Sequence, residues 1–292
     1  MLLFVNDLTV MDFSYLCPER GMVGESWIVD IELDGSLNDQ SMVLDFGRVK
    51  KQLKRIIDES VDHKLLVPIE NSITTVQANE DNQNYWVDFE APAGSIHLYC
   101  PSDAFAFIDA DTITKDSVMD YLRAVIKREL PTNVKAISLT LRDEAIPSFY
   151  YHYTHGLKKH DGNCQRIAHG HRSAIQIFVN GMRTPRLEQQ WSKRWEDIYI
   201  GSAEDVVAHS ALTKSAVGEK AIGNHHVAYS YVAEQGLFEL AMPEHHNEVI
   251  PTDSTVECIA DYIAQTIKQQ EPDAAVKVIA FEGVGKGAIG YA

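Results

Sequence analysis

Basic side chains are scarce in this 292-residue chain. Lys and Arg number 26 against 42 Asp and Glu, for a formal net charge of −16. Binding to nucleic acid or to anionic lipid is driven by Lys and Arg, so neither partner is expected. Long apolar runs are also missing, and no window approaches the roughly 20 residues needed to cross a bilayer. The opening MLLFVNDLTVMDF has no basic stretch and reaches Asp7 and Asp12 early, so no signal peptide is expected. Cysteines are few and far apart (Cys17, Cys100, Cys164 and Cys258), which argues against a secreted disulfide framework. No Gly/Ser/Pro-rich linker or low-complexity tract divides the chain. With 45% hydrophobic and 23% charged residues, the composition is that of a soluble, acidic, cytoplasmic globular protein.

Histidine is what the chain has, and it is unevenly spread: ten of the 12 lie at or beyond His152. The length suits two abutting domains of about 145 residues each. Both halves read as strand, strand, helix, helix, strand. In the first, FVNDLTVMDFSYL and SWIVDIELDG are strands, the latter alternating Val29, Ile31 and Leu33 against Asp30 and Glu32. DFGRVKKQLKRIIDESVDH spaces Val49, Leu53, Ile56, Ile57 and Val61 by three and four, one stripe of an amphipathic helix. Asp111 or Thr112 is positioned to cap a second helix, SVMDYLRAVIKREL, which Pro131 ends, and VKAISLTLRDEAIP follows as a strand. The second half echoes this with FYYHYTHGL, SAIQIFVNG, PTDSTVECIADYIAQTIKQQ and KVIAFEGVGKGAIGYA. The stretch 181–227 is irregular, and no chemistry can be placed there.

HYTHGLKKHDGNCQRIAHGHRSAIQIFV is the richest segment. His169 and His171 flank Gly170, and at that spacing on extended chain both side chains share a face. His155, at the end of the preceding strand, supplies a third imidazole if the two strands pair as a hairpin. Three protein nitrogens with an open position is the pattern of a catalytic zinc site. Cys164, in the connecting loop, is a candidate base or nucleophile, or a fourth ligand that would close the site. In the first half Asp62 precedes His63, and a neighbouring Asp can set the tautomer of a His and support proton transfer.

These residues also carry a family resemblance. Cys164 followed by AHGHRS, with YTHGL upstream, resembles the 6-pyruvoyltetrahydropterin synthase and 6-carboxytetrahydropterin synthase family. SMVLDFGRVKKQLKRIIDESVDHKLL is similar to that family's Asp-Phe to Leu-Asp-His helix, PTDSTVE to its Pro-Thr-x-Glu helix start, and AFEGVGKGAIGYA to its closing strand. The pieces are unequally shared. In MVGESW, Val23 and Glu25 stand where ligands belong, and Ser14 or Tyr15 replaces the upstream histidine. The second half lacks the Asp-Phe helix, and His245 and His246 do not restore its Asp-His motif. Arg172–Ser173 replaces Asn-Tyr, and Ser254 falls where the helix-start motif has its glutamate.

The resemblance implies an α+β chain of two tandem tunnelling-fold units, 1–146 and 147–292. Each would be an antiparallel four-stranded sheet with two helices on one face, the sheets joining into a barrel and the chain into a homo-oligomer. It implies Zn2+ on His155, His169 and His171, with Cys164, Asp62 and His63 moving protons in a site shared between the halves. Glu282 would anchor a pterin, Thr252 and Thr255 would add hydrogen bonds, and Glu144 would be its first-half equivalent. The implied substrate is 7,8-dihydroneopterin triphosphate, converted to a 6-pyruvoyl or 6-carboxy product, with Lys158, Lys159, Arg166 and Arg172 meeting the phosphates. Two other readings are a non-catalytic zinc-binding or assembly protein of the same fold, and a urate-oxidase-like tandem enzyme, which uses no metal.

Overall fold

The computed structural model describes residues 1–37, 42, 46–130 and 134–292. Asp45 of the first helix motif and Pro131 lie outside the described residues.

The first half opens with a long antiparallel hairpin, β1 (Leu2–Cys17) and β2 (Gly21–Gly35). Then come α1 (Phe46–Ser60), β3 (Leu65–Pro68), β4 (Thr74–Ala78), β5 (Asn84–Ala91), β6 (Gly94–Pro101), β7 (Phe105–Ile108), α2 (Lys115–Glu129) and β8 (Val134–Asp143). Five strands form a sheet in the order β7-β3-β1-β2-β8. The apolar stripe of α1, at Val49, Leu53, Ile56 and Ile57, is buried against this sheet with Val118, Leu122 and Ile126 of α2. Each such side chain contributes about 1.5–3 kcal/mol by leaving water. The cap of α2 is Thr114 rather than Asp111 or Thr112. Its hydroxyl accepts the Ser117 N–H while the Ser117 hydroxyl accepts the Thr114 N–H, a reciprocal capping box.

The second half contains β9 (Tyr150–His155), β10 (His169–Val179), β11 (Met182–Arg183), α3 (Pro185–Arg194), β12 (Ile198–Ser202) and the one-turn α4 (Gly218–Ala221). It continues through β13 (His226–Ala233), β14 (Gly236–Pro243), β15 (Asn247–Ile250), α5 (Val256–Gln270), β16 (Val276–Phe281) and β17 (Gly287–Tyr291). Its sheet runs β15-β12-β9-β10-β16-β17, with β11 beside β10. From β15 to β16 this repeats the first sheet strand for strand. The stretch 181–227 therefore does have counterparts: α3 and β12 stand where α1 and β3 stand, and the Gly-rich tail is a strand.

The expectation of four antiparallel strands per unit is corrected. Each sheet has two short outer strands, β3 and β7 or β12 and β15, that run parallel to the first hairpin strand. Runs such as LLVP are buried on both sides and show no alternation to read. A third sheet, β13-β14-β6-β5-β4, is built from both halves, with β14 paired to β6 at Leu240 and Leu98. Its apolar face closes a core with Leu16, Leu65 and Phe105 of the first half and Ile167 and Tyr199 of the second.

The burial of β2 shows how the halves meet. Its far end alternates, but every residue from Gly21 to Val29 is buried, because the β9–β10 hairpin lies across that stretch. The crossing point has no room for side chains. A Cβ on Gly24 would stand 1.8 Å from the Tyr153 carbonyl oxygen, and one on Gly170 would stand 2.6 Å from the Gly24 Cα. Beside them Ser14 Oγ and Thr154 Oγ1 share a buried hydrogen bond of 2.7 Å. Gly170→Ala is expected to lower stability by about 3 kcal/mol through overpacking against backbone. Gly162→Ala, at φ +69° with nothing within 4 Å, should cost only about 1 kcal/mol of backbone strain. Equal urea midpoints for the two variants would show that the crossing is not tight.

Candidate active site

The three histidines meet as their spacing requires. His155 pairs with His169 across β9 and β10, and His171 follows two residues on. All three are buried, and one nitrogen from each lies within 4.8 Å of the others. Hydrogen bonds fix two of the rings. His155 Nδ1 donates to the Ser254 carbonyl at 2.8 Å and His169 Nδ1 to the Arg166 carbonyl at 2.9 Å, leaving both Nε2 atoms as free acceptors. His155 Nε2 and both nitrogens of His171 are buried without a hydrogen-bond partner. Burial first, then the neighbouring imidazoles, hold His155 and His169 well below the usual histidine range and so neutral. Orphaned, convergent nitrogens, with two of the three rings neutral, fit a metal ion.

The first half completes the site. β1 fastens the end of α1 through two bonds at Asp12: its N–H donates to Asp62 Oδ1 at 2.8 Å, and its carbonyl accepts the His63 N–H at 2.7 Å. His63 takes a left-handed backbone, φ 54°, and its Nδ1 lies 2.7 Å from Asp62 Oδ2. Its ring stands 5.1 Å from that of His169, and His63, Cys164 and His169 form a second group of convergent donors. Burial works against the charged form of His63, but hydrogen bonds to Asp62 and Cys164 together prevail and push it up to about 10. Asp12 itself lies 3.2 Å from His171 Nδ1. Although burial opposes it, the charge of His171 holds the Asp12 carboxyl far below its ordinary range.

The structure disperses the remaining candidates. Glu282 stays close: Lys286 bridges it, at 3.7 Å, to Asp12, at 3.4 Å. Thr255 is spent as the cap of α5, accepting the Cys258 N–H. Thr252 is exposed and bonded to the Asp253 carbonyl. Ser254, between them, is the residue that matters, because its carbonyl orients His155. Glu144 is not the counterpart of Glu282. Asp143 pairs with Trp27, whose place in β10 is that of Ser173, and Glu282 falls next to Ser173 when the β10–β16 register is continued. The basic cluster is also corrected. Lys158 is held by Asp205 and Glu204, Lys159 by Glu204 and Asp253, and Arg172 stacks on Tyr150. Among the described residues, Arg166 and Lys64 are buried cations without an ion pair.

A mirror of this site lies across the hairpin crossing. By register Tyr15, Val23 and Glu25 occupy the places of His155, His169 and His171. Asp197, also at φ 54°, occupies that of His63. No metal trio forms there among the described residues. Arg20 grips Asp197 with two hydrogen bonds of 2.5 and 2.8 Å, and His152 lies 3.8 Å from Glu25 as Asp12 lies beside His171. Sequence reading missed Asp197 because only the fold reveals that it matches His63.

Residues 17–142 match the family model described as 6-pyruvoyl tetrahydropterin synthase, so the family resemblance holds for this stretch, which carries Asp62 and His63. The solved 6-pyruvoyl tetrahydropterin synthase of Plasmodium vivax aligns at 16% identity and a TM-score of 0.40, over 51% of this chain and 93% of its own. That of Plasmodium falciparum aligns at 14% identity and a TM-score of 0.39, over 48% and 90%. No curated protein matches the chain. Among the described residues, no helix is long and apolar enough to cross a membrane.

Burial pushes Glu25 up to about 7. Its folded-state pKa thus lies above the ordinary 4.5, so the penalty is absent below pH 4.5 and complete above pH 7. Glu25→Gln should match wild type near pH 4.5 and exceed it by up to about 3 kcal/mol at pH 8. Urea unfolding across that range checks this, and a pH-independent difference would contradict it.

Proposed function

We propose that this chain is a zinc-dependent pterin synthase acting on 7,8-dihydroneopterin triphosphate, with one site assembled from two tandem units, 1–146 and 147–292. The observation that carries this reading is the placement of the first half's Asp62–His63 against Cys164 and His169 of the second. His155, His169 and His171 would hold Zn2+, which when bound acts as a Lewis acid on the substrate's side-chain hydroxyls. The chain's own residues supply the rest. Asp62 keeps the His63 proton on Nδ1 and the ring in one orientation, so that Nε2 faces Cys164 and the histidine trio. His63, cationic at neutral pH, would give a proton to the substrate side chain and Cys164 would take one from it, each returning to its starting state by the end of the cycle. Glu282 accepts the paired N–H groups of the pterin ring, as a carboxylate does with a guanidinium.

Lys64 and Arg166 suit the triphosphate. Lys64 directly follows His63, and Arg166 Nη1 lies 3.5 Å from the His63 carbonyl. Burial lowers the pKa of both, and for Lys64 the Arg166 charge adds to it; Asp103 acts on both from beyond ion-pair distance. An anion between them would relieve that cost. Among the described residues the outer edges of β8 and β17 have no partner strand, and copies of the chain would join through them into a barrel.

Zinc-loaded protein incubated with dihydroneopterin triphosphate should release a 6-pyruvoyl or 6-carboxy pterin by mass analysis. Cys164→Ala, His63→Ala and Asp62→Asn should each slow turnover by roughly 10²–10⁴-fold while retaining zinc. His171→Ala should lose the metal. Full zinc occupancy without turnover would favour an assembly protein, and absence of stoichiometric zinc would remove the reading altogether.

A further inference from the structure

A separate hydrogen-bond chain in the third sheet ends on a serine. Asp88 on β5 and His97 on β6 are a cross-strand pair, both buried. Asp88 Oδ1 lies 2.6 Å from His97 Nδ1, and His97 Nε2 lies 2.8 Å from Ser95 Oγ. On its other side Ser95 Oγ lies 3.1 Å from His226 Nε2.

The direction of the chain follows from its ends. The second oxygen of Asp88 accepts the Ser215 hydroxyl at 2.7 Å, and Ser215 Oγ accepts the Gly218 N–H at 2.9 Å. Asp88 is therefore an acceptor, so His97 donates from Nδ1 and carries its lone pair on Nε2. His226 Nδ1 accepts the Gly223 N–H at 3.3 Å, which places its proton on Nε2, where the Ser95 carbonyl and Ser95 Oγ, each at 3.1 Å, share it. Burial lowers the His226 pKa and keeps that ring neutral. Ser95 consequently donates to His97 and accepts from His226. This is the order of groups in which an imidazole, oriented by a buried carboxylate, takes a hydroxyl proton as the oxygen attacks. Asp88 and His97 are shielded from water, whereas Ser95 is half-buried one residue pair in from the exposed Pro92–Ala93 turn.

We propose that Ser95 is a nucleophile, activated by His97 and Asp88, that accepts acyl groups from small carboxylic esters reaching this edge of the third sheet. Ser95 Oγ bonds to the ester carbonyl carbon as its proton passes to His97 Nε2, and the alkoxide departs with that proton. Water then hydrolyses the acyl-serine by the same route, giving the carboxylic acid and the free hydroxyl. His226 Nε2–H, held between the Ser95 carbonyl and Ser95 Oγ, keeps the serine oxygen turned toward His97, while the charge of the step develops on the ester's carbonyl oxygen. None of this draws on the histidine trio, so it stands apart from the pterin reading.

The test is labelling of the full-length wild-type protein with a fluorophosphonate, where the Oγ–P bond forms and fluoride leaves. Intact mass followed by peptide mapping should show one adduct, on Ser95. Ser95→Ala should abolish it, and His97→Gln should slow it by roughly 10²–10⁴-fold, with hydrolysis of p-nitrophenyl acetate falling in parallel and bound zinc unchanged. Wild-type protein that gains no adduct at Ser95 overturns the proposal, whatever the variants do. So does His97→Gln protein that labels as fast as wild type.

Discussion

The contact at Gly24 and Gly170 sets how closely the two hairpins cross, and that separation sets the geometry of the histidine cluster. His171 follows Gly170 directly, and Asp12 lies two residues before Ser14, so the 3.2 Å approach of Asp12 to His171 depends on backbones meeting without side chains between them. Equivalent positions touch each other there: Gly24 meets Gly170, and Ser14 meets Thr154. In a symmetric dimer such self-pairing marks the two-fold axis. Here a similar axis runs through a single chain, and each flank of it combines residues of both halves.

The two flanks have diverged in chemistry while keeping one geometry. On one, convergent imidazoles lie beside Asp62 and His63. On the other, a guanidinium and a carboxylate face each other, and Asp197 keeps the left-handed backbone of His63 without its ring. Arg20 and Asp197 join residues 177 apart in sequence through a two-pronged contact, the strong form of a charge pair. That flank therefore holds the halves together by its own side chains. The first flank, with orphaned ring nitrogens, needs a cation to be equally satisfied.

Much of this was legible from local pattern. A two-residue histidine spacing needs only a strand to converge, and the stripe on α1 needs only a helix. What could not be read was distant. Ser254 contributes a carbonyl, which any residue type offers, so its identity carried no signal. Lys158 and Lys159 looked like a cationic cluster because Glu204, Asp205 and Asp253, their partners, lie far along the chain. Glu144 closes a β run as Glu282 does, yet the pairing register gives that place to Asp143, and a one-residue slip moves a side chain to the other face of the sheet. The third sheet is not legible locally because its strands come from opposite halves of the chain.

Electrostatics ties these points together. A net charge of −16 repels anions as a whole, but at physiological salt that field decays over about 8 Å. Inside a partly buried site the local charges dominate instead, since protein surroundings screen them less than water does. The chain neutralises Lys158, Lys159 and Arg20 with nearby carboxylates, but it places none within ion-pair distance of Lys64 or Arg166 among the described residues. Leaving two desolvated cations uncompensated costs stability, in a protein with carboxylates to spare. The physical effect of that arrangement is to confine favourable binding of an anion to the side of the site where His63 and Cys164 stand.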